Sequence, residues 1–441
     1  MSEPDLLDPR LEPSAAYIDR TQREDGLLPW YPDGPADPWD HVESAMGLSV
    51  AGRTDAAERA YAWLAGTQHD DGGWWAAYGD EASGPNGHEG EEQRKETHRA
   101  AYAAVGVWTH YRVTGDRSFL AEYWPTVRDA LGFALAQQTP TGEVYWTVDA
   151  DGEPHRDALV SACASVYKSL ECGAAIAATL GRGGARDRWL DARTRLGTAI
   201  REHPDRFDRT WESKSRYAMD WYYPVLCGVL GGDRARRRLE AGWDRFVEPE
   251  QGCRCVADEP WVTVAESCEL VLALLSVGRR EQARELFEWL FEWTDEDGVF
   301  WTGYQLEDEE FWPGERPTWT GGAALLAGDA LPRRTPPRDR VPEPPPGGPT
   351  EPPPLAPPLR GRGPVPGPSP APAASGRGAP PLPRVRANRL WQRRARGGGV
   401  ATGPPQPPLP RGKVTARKPR STRPPLARHG AFFPPPPRGR R

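Results

Sequence analysis

Apolar residues recur three and four positions apart through most of residues 11–331, which is the spacing of one face of an α-helix. Alternating runs of β-branched residues, the sign of half-buried strands, are nearly absent. The pattern therefore predicts an all-α fold with twelve helices. These helices are expected at residues 11–22, 40–51, 54–67, 97–114, 117–137, 157–180, 184–202, 219–230, 233–246, 263–277, 280–294 and 318–331.

A short turn recurs between the predicted helices. Its form is Gln-x-x-Asp-Gly followed by a Trp, and each copy lies between two helical stretches. Such a repeat indicates a closed ring or a solenoid of helical hairpins. The copies are Gln22-Arg-Glu-Asp25-Gly26 with Trp30, Gln68-His-Asp-Asp71-Gly72 with Trp74, the weaker Gln138-Thr-Pro-Thr-Gly142 with Trp146, and Asp297-Gly298 with Trp301.

The lengths of the links between helices distinguish a closed ring from a solenoid. Links of a few residues, such as 52–54 and 114–116, join each even-numbered helix to the next odd-numbered one. The long Trp-bearing loops join odd-numbered helices to even-numbered ones, so all of them lie at one end of the structure. This layout predicts an (α/α)6 toroid. Its even-numbered helices form an inner ring whose N-termini open into a cup roofed by the long loops.

Charge divides the chain into two segments. Residues 1–332 contain 33 Lys and Arg and 59 Asp and Glu, a net charge of −26, whereas residues 333–441 contain 23 and 3, a net charge of +20. The acidic segment is the expected toroid domain, and its charge argues against nucleic acid or an anionic membrane as its partner.

The basic segment, residues 333–441, holds 32 of the 50 prolines and its few apolar residues show no period. Its composition predicts a disordered tail, because it cannot bury enough surface to fold. An SH3-type ligand and a basic nucleic-acid tether are two functional interpretations. A shifted reading frame in a GC-rich gene also gives this composition, and we assign the tail no function.

Cysteine usage and the first residues predict a cytoplasmic protein without a cofactor. The six cysteines are scattered, and the start lacks the basic and apolar regions of a signal peptide. No run of 18 apolar residues is present, so no membrane span is expected. Cys253-Arg-Cys255 is too tight for a metal knuckle and has no histidine nearby, so no metal site is predicted.

The candidate site is the cup at the inner-helix N-termini. Asp220 is the expected general acid, because its neighbours Met219 and Trp221 are apolar and would raise its pKa. Glu315 or Asp40 is the expected base that activates water. Each carboxylate also has a plain structural interpretation as a helix cap or salt-bridge partner. The substrate-binding candidates are Trp39, His41, Trp75, His98, Trp146, Trp221, Tyr222, Trp261, Glu266, Trp301, Tyr304, Trp312 and Trp319.

Tryptophan is the specific signal for substrate, since 18 of the 19 precede residue 333 and many lie in loops. Aromatic faces stack on sugar rings while paired carboxylates cleave a glycosidic bond, and an inverting pair stands about 6.5–9.5 Å apart. Aromatic faces also stabilise the carbocations formed from isoprenoids. A cup whose carboxylates are all consumed by caps and salt bridges would instead be a binding scaffold.

Residues from about 10 to 331 resemble the α/α-toroid superfamilies, including the six-hairpin glycosidases and their glucoamylase-like hydrolases. Residues 110–131, followed by Gly142-Glu-Val-Tyr-Trp, are very similar to the third hairpin of that group. Glu315-Arg-Pro-Thr-Trp319-Thr-Gly-Gly resembles its closing helix, where a Glu upstream of a Thr-Trp pair is the general base, at a longer spacing than here. This resemblance implies a hydrolase with Glu315 as base.

Two other toroids are also similar. Terpene cyclases and prenyltransferases share the Gln…Asp-Gly…Trp repeat, and proteins that look like this core commonly carry the label prenyltransferase. Their Asp-x-Asp-Asp acid and Asp-x-Cys…His zinc set are missing here, with Asp149-Ala-Asp151 the nearest match. Sugar 2-epimerase toroids move protons with histidines, for which His41 and His98 are the candidates.

We therefore expect a carbohydrate-active glycoside hydrolase whose paired carboxylates act on an oligosaccharide or a small molecule in a Trp-lined cup. The alternatives are a prenyltransferase- or terpene-cyclase-like protein and a non-catalytic binding scaffold.

Overall fold

The computed structural model describes residues 7–79 and 94–331, so the predicted tail at 333–441 lies outside the described residues. This part of the chain contains twelve α-helices, as predicted, and no helix in it is long and apolar enough to span a bilayer. The helices are α1 Glu12–Thr21, α2 Pro38–Val50, α3 Thr54–Thr67, α4 Thr97–Thr114, α5 Arg117–Ala136, α6 Val160–Thr179, α7 Gly183–Glu202, α8 Ala218–Leu226, α9 Gly232–Phe246, α10 Val264–Ser276, α11 Arg280–Trp289 and α12 Thr318–Ala330.

Capping side chains explain some of the helix starts. Asp37 caps α2 by accepting from the amides of Trp39 and Asp40. Asp116 caps α5 as its position before the helix predicts. Asp157 does not open α6, which begins at residue 160. Its carboxylate instead accepts from Thr210, in the loop after α7, so this expected start was three residues early.

The even-numbered helices form a closed inner ring. Each packs against the next in the order α2, α4, α6, α8, α10 and α12, and α12 packs against α2. The odd-numbered helices pack around this ring, and the long loops all lie at the inner-helix N-termini. The fold is therefore the predicted (α/α)6 toroid.

Ring closure depends on two facing glycines. A methyl group on Gly47 of α2 would lie 2.6 Å from the Cα of Gly322 of α12. A methyl group on Gly322 would lie 2.7 Å from the carbonyl oxygen of Glu43. Both distances are shorter than van der Waals contact, so the first and last inner helices meet backbone to backbone.

The recurring turn connects neighbouring outer helices through hydrogen bonds. The Gln22 side-chain amide donates to the carbonyls of Gly26 in its own turn and Ala56 in α3. Gln68 donates in the same way to the carbonyls of Gly72 and Thr126. Gln138 donates to those of Gly142 and Ala192. Each turn glycine has a positive φ and lies so close to the next outer helix that a side chain would strike its backbone. The repeat therefore marks the joints between outer helices.

The fourth copy of the turn closes the outer layer without a glutamine. Gly298 lies against α1, where a methyl group would be 3.0 Å from Cγ of Pro13. Arg10, just before α1, forms an ion pair of 2.8 Å with Glu288 of α11. A methyl group on Gly328 of α12 would overlap Leu11. The start and end of the toroid are thus in contact.

Short strands lie in the long loops. Strands β1 and β2 pair with each other, and β3 to β7 form a five-stranded antiparallel meander beside α10. The near absence of strand signals did not predict this meander, because strands of two or three residues are too short to show alternation. The strands are β1 Lys95–Glu96, β2 Thr147–Val148, β3 Val247–Glu248, β4 Gly252–Arg254, β5 Trp261–Thr263, β6 Gly303–Gln305 and β7 Glu310–Phe311.

Gly322→Ala is expected to lower the free energy of unfolding by about 1–3 kcal/mol, because the added methyl group must push α12 away from α2. Gly66→Ala is the matched control, since Gly66 lies in α3 with nothing within 4 Å of the added methyl group. We expect it to be stabilising by about 0.4–1 kcal/mol. Urea unfolding of both variants measures the difference, and equal effects would contradict tight closure at Gly322.

Candidate functional site

All six inner helices contribute to two adjoining cavities at the cup. We call the first the upper cavity, with about 350 Å³ of space that includes open solvent at its mouth, and the second the deep cavity, with about 270 Å³ that likewise includes open solvent. Trp39 and Met219 line both. The upper cavity is also lined by Asp37, Asp40, His98, Arg99, Ser161, Ala162 and Tyr223, and the deep cavity by Glu43, Ala265, Glu269, Trp319 and Ala323.

Asp40 is a buried carboxyl in the first turn of α2 and lines the upper cavity. It does not cap its helix, because Asp37 does so. Burial and the neighbouring charge of Asp37 raise the pKa of Asp40 well above its usual range, against the opposing effect of Arg99. A carboxyl group with a raised pKa keeps its proton to higher pH and can donate it to a leaving group.

A buried ion-pair cluster forms the wall beside Asp40. Arg99 of α4 pairs with Glu96 at 2.7 Å, lies 3.5 Å from Asp37, and donates to the carbonyl of Ala76. Burial opposes ionisation of Glu96, but Arg99 and Arg94 prevail and hold its pKa at about 2. This wall of the cavity is therefore ionic, and the contacts of Arg99 with Glu96, Asp37 and Ala76 hold its side chain in place.

Two further carboxyls lie at the floor of the deep cavity, bonded to tyrosines. Tyr102 donates to Glu43, and Tyr222 and Tyr223 both donate to Glu269. Burial raises the pKa of Glu43 to about 7 and, together with the charge of Glu43, that of Glu269 to about 8. Glu269 was not among the predicted site residues, although its position one turn below Glu266 on the inner helix α10 is visible in the sequence.

Glu266 is fully buried in the first turn of α10 but lines neither cavity. Among the described residues neither of its carboxyl oxygens has a hydrogen-bond partner of normal geometry, and Thr263 and Cys255 are polar neighbours. Burial raises its pKa. A buried carboxyl without a hydrogen-bond partner of normal geometry is uncommon and is a good candidate for binding a water.

Asp220 is in the first turn of α8 but lines neither cavity. Its carboxylate lies 4.0 Å from Arg238 of the outer helix α9, whereas Met219 and Tyr223 of the same helix line the upper cavity. Burial raises the pKa of Asp220 to about 6, and Arg238 opposes this rise. The predicted pKa shift is present, but the carboxylate belongs to the interface between α8 and α9.

The two predicted histidines have different surroundings. The His41 ring accepts from the amide of Leu28 and bonds to the carbonyl of Ala60, so both ring nitrogens are engaged by backbone behind the cup. His98 lines the upper cavity, with Nε2 3.4 Å from Glu96. Burial lowers the pKa of each to about 4, so both rings are neutral near pH 7.

The predicted aromatic residues divide into two sets. Trp39 and Trp319 line the cavities, and Trp39 stacks on Tyr102 with ring centroids 4.1 Å apart. The others lie behind or around the cup. Trp146 packs on Leu159 and Ala162, Trp221 stacks on Phe246, Tyr222 bonds to Glu269, and Trp75 has Lys95 over its ring.

The remaining aromatic candidates lie in the meander or in the loops beside its strands. Trp261 bonds to the carbonyl of Trp312, Trp301 stacks on Phe311, and Tyr304 stacks on Trp293. Tyr304 pairs with Val262 across the sheet, so its side chain lies on the face opposite to that of the neighbouring Trp261.

Glu315 is half-buried on the loop that leads to α12. Its backbone carbonyl accepts from the amide and the hydroxyl of Thr302. The neighbouring Arg316 pairs with Asp295.

Comparisons with known proteins identify one curated relative and several solved structures with this fold. No protein-family model matches the chain. The chain is 43% identical over 334 residues to the MMP endo-(1,4)-3-O-methyl-alpha-D-mannosidase of Mycolicibacterium hassiacum, covering 76% of this chain and 89% of that protein.

Solved structures share the fold at low sequence identity. A glycosidase matches with a TM-score of 0.58 and 17% identity, over 73% of this chain and 96% of its own. A rhamnosidase from Klebsiella oxytoca with rhamnose bound matches with a TM-score of 0.51 and 18% identity, over 72% of this chain and 63% of its own. A D-mannose isomerase matches with a TM-score of 0.55 and 11% identity, over 74% of this chain and 96% of its own.

The floor carboxyls predict a pH-dependent stability. Because the folded-state pKa of Glu269 is about 8, above the ordinary glutamate value of 4.5, its contribution to stability is complete below pH 4.5 and is lost as the pH rises through 8. In Glu269→Gln this loss is absent, so the melting temperature of the variant relative to the wild type should rise between pH 5 and 8.5. Thermal unfolding across this range measures it. Glu122→Gln, which removes an exposed carboxylate from α5, is the control, and a parallel rise there would contradict the assignment.

Proposed function

This chain belongs to the family of the MMP endo-(1,4)-3-O-methyl-alpha-D-mannosidase, and from that premise we propose that it hydrolyses internal (1,4) bonds of α-mannosides that carry 3-O-methyl groups. The glycoside hydrolase class follows from the relative, whose length this chain covers almost completely. The solved glycosidases support the fold alone. The comparisons favour this function over the prenyltransferase-like alternative.

The observation that carries the proposal is the environment of Asp40. This carboxyl lines the upper cavity, is buried, and has a raised pKa. We assign it the role of general acid, which protonates the leaving glycosidic oxygen. The apolar neighbours of Asp220 in the sequence predict that residue for this role. The contact of Asp220 with Arg238 and its absence from the cavity lining favour Asp40.

The base must be ionised and must hold a water molecule. Glu315 lines neither cavity, but we keep it as the first candidate because it precedes Trp319 of the deep cavity by four residues and is half-buried, in contact with solvent. Glu266 is the second, because its oxygens have no partner of normal geometry among the described residues. Glu43 and Glu269 are less suited, since tyrosine hydroxyls already occupy them and their pKa values are about 7 and 8.

Aromatic contacts would hold the sugar. Trp39 lines both cavities and is fixed by its stack on Tyr102, and Trp319 lines the deep cavity. A rigid aromatic face can stack on a pyranose ring without losing much conformational entropy. We propose these two tryptophans as the sugar platform of the cup.

A cytoplasmic location remains part of the proposal. All six cysteines are free thiols, and Cys255 alone among them is half-buried rather than buried. Free thiols suit a reducing compartment.

Asp40→Asn is expected to lower kcat by about 10²–10⁴-fold, because it removes the proton donor and leaves the shape of the residue unchanged. The measurement is release of shorter oligosaccharides from a (1,4)-linked 3-O-methyl-α-mannoside, followed by mass spectrometry. Asp220→Asn is the matched control and should keep kcat within a few fold of the wild type. Loss of activity in Asp220→Asn, with Asp40→Asn active, would reverse the assignment.

Chemical rescue should identify the base. Glu315→Ala is expected to lose hydrolysis, and added azide should restore part of the bond cleavage, because azide attacks the anomeric carbon in place of the activated water, the leaving glycosidic oxygen takes its proton from Asp40, and the product is a glycosyl azide. Glu266→Ala should show no azide response if Glu266 only supports the structure. Rescue of Glu266→Ala alone would transfer the role to Glu266, and rescue of neither would reject both candidates.

A further inference from the structure

We propose that Met219, Ala265 and Ala323 form a methyl-ether pocket in the deep cavity, which selects sugars carrying a 3-O-methyl group over unmethylated ones. This inference rests on the proposed function, because the methylated substrate comes from the relative's name. The new element is the identity of the residues that would contact the methyl group and distinguish it from a free hydroxyl.

The deep cavity combines apolar wall groups with a carboxyl floor. Its walls present a thioether, two alanine methyl groups and two indoles. The upper cavity shares Trp39 and Met219 with it and adds Asp37, Asp40, His98, Arg99 and Ser161. The methoxy group of a substrate bound against Asp40 would find apolar contact on the methionine and alanine wall of the deep cavity.

Ala265 and Ala323 offer no hydrogen-bonding side chain to a free hydroxyl, whereas the floor carboxyls Glu43 and Glu269 do. A sugar hydroxyl pointing at the alanine wall would leave its hydrogen bond unmade, which is costly in a buried site. A methyl ether has no such donor, and its methyl group gains apolar contact.

The pocket lies at a workable distance from the proposed chemistry. Glu43, on the deep cavity, follows Asp40, on the upper cavity, by three residues of α2, or about 4.5 Å along the helix axis. Met219 and Trp39 line both cavities, so one sugar ring can contact the two levels together. A sugar bound against Asp40 can thus place a ring substituent between Met219 and Ala323.

Small residues make the space, and a flexible one borders it. Ala265 and Ala323 lie on the neighbouring inner helices α10 and α12, both buried, and any larger side chain there would fill the cavity. Met219 is half-buried and contributes a thioether that adapts to small apolar groups. Ala324 is equally buried on α12 but lines neither cavity, so it provides a matched control.

The test compares binding of a (1,4)-linked 3-O-methyl-α-mannotetraose and its unmethylated analogue to the full chain, by calorimetry and by tryptophan fluorescence. Discrimination by one methyl-sized contact is about 10–200-fold, so the wild type should bind the methylated sugar at least 10-fold more tightly. Met219→Gln and Ala323→Ser, which offer hydrogen bonds to a free hydroxyl, should reduce this ratio to about threefold or less. Ala324→Ser should keep the wild-type ratio.

Turnover is measured beside binding so that the two proposals can fail separately. Hydrolysis of both sugars with equal affinity would overturn the methyl-ether pocket and leave the hydrolase standing. Selective binding that Met219→Gln and Ala323→Ser abolish, without turnover, would support the pocket and overturn the hydrolase. A selectivity that both folded variants retain would overturn the pocket, and binding of neither sugar would overturn both proposals. Thermal unfolding of each variant confirms that it is folded.

Discussion

The inner ring closes only because α2 and α12 approach each other through Gly47 and Gly322, where no side chain intervenes. Closure brings the first and last inner helices together and turns six hairpins into one cup. It also aligns Asp40 and Glu43 of α2 with Trp319 of α12 around a shared space. The site therefore consists of residues far apart in the chain, held by a contact that itself has no chemical role.

Burial sets the protonation of this site, and ion pairing decides the exceptions. Asp40, Glu43 and Glu269 lack a close cation strong enough to offset their desolvation, so their pKa values rise. Glu96 is just as buried, yet Arg99 and Arg94 keep it ionised. One wall of the cup thus carries fixed charge while its floor holds protons. That contrast separates groups that can exchange a proton near neutral pH from those that only maintain the shape.

Periodicity predicted the helices and the alternation of inner and outer layers well, because both depend on local spacing and on link length. It could not predict the direction of a single side chain at a helix start. Met219 and Asp220 are adjacent, and the rotation of about 100° between them separates a cavity residue from one at the α8–α9 interface. Glu269 was missed for a related reason, since only the assembled ring shows how deep the cavity extends. The meander was missed because its strands are shorter than the period that reveals a strand.

The contacts of Gly298 with α1 and of Arg10 with Glu288 give the outer layer the same continuity as the inner one. The six hairpins therefore form a closed cycle in which every hairpin packs between two others. A circular permutant that links residue 331 to residue 7 and opens the chain at the short connection between α6 and α7 would preserve every helix pair. In such a permutant the hairpins would be synthesised in a different order but would fold to the same structure. Effects of synthesis order on folding could then be measured separately from equilibrium stability.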